Sequence, residues 1–394
     1  MFGKRVAPLT QRALPQRPME ARSGSERLDF VDPETGRTVW RLTNSPYHDK
    51  HAYYDVSPWS PDGAKILFSS VDPADLEFAV AGRSRPPSEK RAVSRRGHIF
   101  RMNSDGTCIE RLAGDAPFCA HIGSFPLWVP GRDLIVYGGQ WDDFAEDTLH
   151  IMNLATREVT VFKGLFGRHV SPDGSLLACQ SADGIVMLPL DAPAERRVVV
   201  RFADVARALP HRDPALFDSW NMGNIKWSPR GDRFLFRFFA KYQGEPASEV
   251  VVAAPDGTDI TILPEASVRL HHPSWCPDGE RILYGDVVDG EARLFIHPLG
   301  GPRSLLTDER LGGHPLMSPD GTRVVTDVSK AKFGEEKFGS SLVLVDVATG
   351  SVEKLVSTPH TFYCDPHAVW SPDGSRILYD CSATGTSQIY VVPL

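Results

Sequence analysis

Apolar residues along this chain fall in short runs, each closed by a polar turn, and the alternation repeats seven times. Runs such as Lys65-Ile66-Leu67-Phe68, Arg233-Phe234-Leu235-Phe236, Arg281-Ile282-Leu283-Tyr284 and Arg376-Ile377-Leu378-Tyr379 are too short for helices, which predicts single buried strands. Ahead of each stands Ser-Pro-Asp-Gly or a near copy, with its proline at Pro61, Pro130, Pro172, Pro229, Pro277, Pro319 and Pro372. Proline sets the first turn position, aspartate bonds its own backbone, and glycine takes the positive φ that follows, so the motif is a tight link between two strands.

A third strand follows in every unit, as in His98-Ile99-Phe100-Arg101-Met102 or Leu342-Val343-Leu344-Val345. A polar turn such as Ala348-Thr349-Gly350 then leads to a fourth. Seven units of about 40 to 50 residues built only from strands and turns predict an all-β fold: one seven-bladed β-propeller of four-stranded antiparallel blades. The last unit stops after its third strand, at Val392-Pro393-Leu394, leaving an edge that needs a partner. Thr38-Val39-Trp40-Arg41-Leu42-Thr43 has the pattern of a fourth strand without its first three, so it is expected to close the ring there. The propeller then occupies residues 29–394, and residues 1–28, rich in Pro, Arg and Ser, form an N-terminal segment expected to be mobile.

Repeats fill nearly all of the 394 residues, so length does not imply a second domain. A net charge of −7 gives no reason to expect nucleic acid or a membrane surface as partner. Cys108, Cys119, Cys179, Cys276, Cys364 and Cys381 form no Cys-x-x-Cys pair and read as free thiols of a reducing compartment. With no apolar leader or membrane-length run, the expected address is the cytoplasm.

Side chains alternate along a strand, so equal offsets from the motif proline should face the same way in every blade. Five residues before it stand Val56, Phe125, Gly167, Asn224, His272, His314 and His367. Three successive blades thus place histidine at one position of the inner strand, beside the channel mouth, with Asp365 two residues from the last. Neutral imidazoles and a carboxylate suit a divalent cation. The bland alternative is histidines bonded to backbone or water in a wet channel. His169 and Lys226 lie on the same face next to this ring of positions; His271 and His360 read first as solvated loop residues, with ligand or base as the alternative. Asp286, Asp327 and Asp380 end the second strands of the last three blades, where they serve turn chemistry or orient the histidines. The basic run Arg83 to Arg96, with Arg83, Arg85 and Arg91, and Arg168 on the third inner strand offer contacts for an anion, or in the case of the run a plain solvated insertion.

With its blades in register the chain resembles the oligogalacturonate lyases. The likeness is carried by Asp32-Pro33-Glu34-Thr35-Gly36 through Arg41-Leu42-Thr43, Tyr53-Tyr54, His272 before Trp275, His314 before Leu316-Met317-Ser318, and Asp365-Pro366-His367. The resemblance implies a cytoplasmic lyase that cleaves uronate oligosaccharides by β-elimination, with a divalent metal, manganese first and zinc, calcium or iron as alternatives. It places His272, His314, His367 and Asp365 at the metal, the aspartate standing where the family has histidine. The family's histidine base aligns with Asn224, and an amide does not accept a proton near neutral pH. His169 and Lys226 are therefore the expected bases, and Tyr54 is expected near the leaving oxygen. The rival class is a non-catalytic propeller of the TolB kind, a scaffold for a ligand or protein, which shares the same turns.

Overall fold

The computed structural model describes Met19 and residues 22–79, 91–139, 144–209, 211–264, 271–328, 338–359 and 364–394. They form seven antiparallel sheets in chain order, as the repeats predict. The inner strands of blades two to seven are Leu127–Trp128, Phe166–Val170, Phe217–Trp227, His271–Trp275, Leu316–Met317 and Val369–Trp370. In blade one, His48–Lys50 and the bridge from Trp59 to Ile66 take that place.

The turn motif works through its serine as well as its proline and glycine. In blade one the Ser60 hydroxyl donates to Asp62 at 2.5 Å and accepts the Lys65 amide at 2.9 Å, while Gly63 sits at φ 71°. The same pair of bonds recurs at Ser171, Ser318 and Ser371. Tryptophan before the motif ties blades together. The indole N–H of Trp128 donates to the Pro58 carbonyl of the preceding blade, that of Trp275 to Lys226, and that of Trp370 to Leu316.

Closure occurs where the sequence predicts it. Trp40 and Arg41 of Thr38–Arg41 pair with Val391 and Tyr390 of the last blade. The Leu42 amide bonds the Ile389 carbonyl at 2.8 Å, and Thr43 Oγ1 accepts the Ile389 amide at 3.0 Å. Leu28–Val31 then folds back on Thr38–Arg41 as a fifth strand of this blade. Val39 and Leu42 are fully buried, one on each side of the joint. Because Leu42 seals the joint, Leu42→Ala is expected to lower unfolding stability by about 3 kcal/mol. Thermal or denaturant unfolding checks this, and an unchanged midpoint would mean that closure does not stabilise the ring.

Arg22, within the N-terminal segment, is buried in blade one. Its guanidinium forks onto Asp49 at 2.7 and 2.9 Å and lies over the rings of Phe68 and Phe100.

Candidate functional site

The inner-strand position singled out by register has an unusual backbone. Phe125, Asn224, His272 and His367 all adopt left-handed φ, between 47° and 52°. Pairing slips at the same place, between Gly223 and Lys226 in blade four and between His271 and Ser274 in blade five. A bulge with a left-handed residue re-aims that side chain, and for a non-glycine residue it costs about 1 to 3 kcal/mol, which neighbouring structure must offset. In blade six the left-handed residue is Gly313, one position before His314. A Cβ there would lie 1.9 Å from the Asp327 carbonyl oxygen, so only glycine fits.

These bulges bring the three histidines together. The rings of His272 and His314 are 3.9 Å apart, and those of His314 and His367 are 4.5 Å apart. Tyr53 and Tyr54 pack against them, Tyr53 at 4.6 Å from His367 and Tyr54 at 5.2 Å from His314. His314 Nδ1 is 2.9 Å from Asp327 Oδ1, so this nitrogen carries the proton and Nε2 keeps the lone pair. His272 Nδ1 is 2.9 Å from the Gly313 carbonyl, which fixes the same tautomer. Asp327 therefore orients a histidine, the second of the two roles open to it from sequence. Asp380 does so for His51 at 2.9 Å, and it also receives Lys50 at 3.3 Å. Asp286 instead pairs with Arg303.

His367 is fully buried, and among the described residues neither ring nitrogen has a hydrogen-bond partner. Burial holds it well below the ordinary imidazole range, helped by His314, His121, Lys50 and His51. A dry neutral imidazole with both nitrogens unengaged is costly unless something binds it. Among the described residues, His121, Asp365 and His367 offer ligand atoms that all lie within 4.8 Å of one another, a set suited to a divalent cation. Asp365 and His367 belong to the set read from sequence, with His272 and His314 beside them.

His121 does not appear in the register reading because it stands on no repeat position. It sits in the tight turn Cys119 to Gly123 that links blades one and two. The one local signal is a lone histidine flanked by apolar residues and glycine.

The other sequence candidates occupy the wall beside this cluster. Lys226 is buried; its ammonium pairs with Asp55 at 3.0 Å and bonds Tyr54 Oη and the Pro273 carbonyl. Burial brings Lys226 down to about 8 against the opposing pull of Asp55. Burial works to raise Asp55, but Lys226 and Arg168 outweigh it and hold this carboxyl below its usual range. Burial and Asp55 push the Tyr54 phenol well up, and its hydroxyl donates to Pro273 at 3.1 Å. His169 Nδ1 accepts the Trp227 amide at 3.2 Å, and its ring also bonds the Asp55 backbone. Asn224 Oδ1 accepts from Arg168 Nη2 at 3.3 Å. Arg91 begins the strand Arg91–Asn103 opposite Ala79. Arg83, Arg85 and His360 lie outside the described residues.

A family model, the TolB β-propeller domain, matches residues 226–394. Among solved structures, an oligogalacturonate lyase in complex with manganese is similar at 16% identity, with 94% of this chain and 98% of that chain covered and a TM-score of 0.68. An oligogalacturonate lyase from Vibrio parahaemolyticus is similar at 14% identity, with the same coverages and a TM-score of 0.66. A chain of the mitotic checkpoint complex is similar at 11% identity and a TM-score of 0.53, with 92% of this chain and 96% of that chain covered. The resemblance to oligogalacturonate lyases drawn from the sequence is thus met again in the fold.

Proposed function

We propose that this chain is a metal-dependent lyase that cleaves uronate-containing oligosaccharides by β-elimination, as in pectin breakdown. The observation that carries the reading is the convergence of His121, Asp365 and His367, with the unengaged nitrogens of His367, beside the lone-pair nitrogens of His272 and His314. The two lyases of like fold, one of them a manganese complex, support it.

His121, Asp365 and His367 are the residues that would hold the ion, manganese by preference. When bound, it neutralises a uronate carboxylate and so acidifies the hydrogen on the adjacent carbon. His314 is the proton acceptor we favour, because Asp327 fixes its tautomer and balances the imidazolium formed when Nε2 takes the proton. The electron pair of the broken C–H bond forms the carbon–carbon double bond of the product, and the bond from the next carbon to the glycosidic oxygen breaks. That oxygen needs a proton. Tyr54, held protonated by burial and Asp55 and placed 5.2 Å ring to ring from His314, is the donor we assign. Lys226 donates to the same hydroxyl oxygen and so favours release of its proton. Asn224 takes no part as a base and instead holds Arg168.

An anionic oligosaccharide is the partner this reading requires. All six cysteines are free and five are buried, which supports a reducing, cytoplasmic setting. The test is incubation of purified protein and manganese with oligogalacturonates and other uronate oligosaccharides. Ultraviolet absorbance of the unsaturated product is expected to rise. No rise with any of them, from protein shown to bind manganese, would leave the scaffold reading in its place.

A further inference from the structure

The second strands carry a repeated position whose use differs between blades. Four residues after the arginine that opens or just precedes the strand stand Asp327 in blade six, Asp380 in blade seven and Arg237 in blade four. The two aspartates serve histidines of the channel wall. Arg237 reverses the charge at the same place, directly opposite Gly223 and next to the bulge at Asn224.

Arg237 is 8% exposed and has no carboxylate at ion-pair distance among the described residues. Its Nη2 donates to Ser248 Oγ at 2.8 Å, its plane lies 4.1 Å over the Phe239 ring, and its Nε is buried without a partner among the described residues. Burial lowers it to about 10, against a weaker opposing pull from the phenols of Tyr53 and Tyr54. A second guanidinium flanks the same bulge: Arg168, 5% exposed, reaches Asn224 and stacks at 4.6 Å on Phe125 and 5.4 Å on Phe166. Both arginines act electrostatically on Tyr53 and Tyr54, the rings that pack on the histidines. Of the carboxylates that act on the Tyr53 ring, Asp55 pairs with Lys226 at 3.0 Å and Asp365 belongs to the group with His121 and His367. Arg237 is thus a buried cation with no carboxylate at ion-pair distance among the described residues, and such a charge calls for an anion.

We propose that Arg168 and Arg237, on the walls of blades three and four, form a carboxylate-binding subsite that takes an acidic sugar beside the histidine cluster. The planar fork of each guanidinium, backed by aromatic rings, suits the two oxygens of a carboxylate. That the ligand is a sugar rests on the lyase reading; the anion preference does not. Asn224 gains a purpose of its own here, since its carbonyl oxygen positions Arg168, a task that a protonated imidazole would not perform.

The experiment is calorimetric titration of the full chain, in chelator, with galacturonate, with its neutral methyl ester and with galactose 6-sulfate. The wild type is expected to prefer the acid to the ester, and Arg237→Met to lose roughly thirtyfold or more of that affinity. Without ligand, Arg237→Met is also expected to unfold at the same temperature as the wild type or higher, because it removes an uncompensated buried charge. A structural arginine would show the opposite. Equal binding of acid and ester, tighter binding of the sulfate, an acid preference retained in Arg237→Met, or a large loss of stability in that variant would each overturn the assignment. The titration in chelator does not depend on the metal, so an acid preference here together with no absorbance rise in the manganese assay would sink the catalytic reading and leave this one standing.

Discussion

His367→Ala is expected to weaken manganese binding by more than about a hundredfold while leaving the ring folded. The reasoning starts from cost. His367 is wholly buried, has left-handed backbone, and leaves both ring nitrogens without hydrogen bonds among the described residues. Among the described residues no hydrogen bond offsets that desolvation, so removing the imidazole gives up little apart from packing against rings such as Tyr53 and His314. Asp365→Asn and His121→Ala should weaken the metal as well, because they supply the other two ligand atoms of the group. Titration with manganese chloride, together with circular dichroism to show that the fold is kept, measures this directly. Full-strength binding by His367→Ala would mean that the ion, if any, sits elsewhere.

Asp327→Asn is the second expectation of large effect. The substitution keeps the size of the side chain but replaces the oxygen that accepts the His314 Nδ1 proton and the His314 amide, at 2.9 and 2.7 Å. An amide at this place can present its NH2 group to Nδ1, which would move the ring proton to Nε2, the nitrogen that must take the substrate proton. The turnover number is expected to fall by about 10²- to 10⁴-fold, with KM and manganese affinity little changed. His314→Ala should fall at least as far. A loss that shows in KM, or in metal affinity with turnover retained, would assign Asp327 and His314 to binding instead.

Much of this architecture is legible in the chain because a propeller is built from local rules. Ser60, Pro61, Asp62 and Gly63 hold their turn through bonds among near neighbours, so the motif is visible wherever it recurs. Closure is legible for a related reason: a repeat missing its fourth strand and an orphan strand at Thr38–Arg41 satisfy each other. The register of the histidines is legible too, since equal offsets in equal blades must converge at one mouth.

What period-two alternation does not reveal is the bulge. Left-handed backbone at Asn224, His272 and His367 re-aims those side chains, and Gly313 performs the same task one residue before His314. Nor does alternation find His121, whose turn belongs to a connection rather than to a blade. Lys226 and His169 stand on the expected wall, yet which groups enclose them depends on Tyr54 and Asp55 from blade one and Pro273 from blade five. Arg237 is clearer still. In sequence it is one more charged residue of a strand, and only burial without a counter-ion among the described residues marks it out.

The amino-acid order by itself determined the number of blades, their turns, the closing strand and the position at which histidines gather, because each of these depends on short-range stereochemistry repeated at a fixed interval. The tertiary structure alone decided which of those groups share a neighbour, which nitrogen of each imidazole holds its proton, and which charges lie buried unanswered. Those properties arise from distances between blades far apart in the chain, and electrostatic and hydrogen-bond energies depend on such distances rather than on position in the sequence.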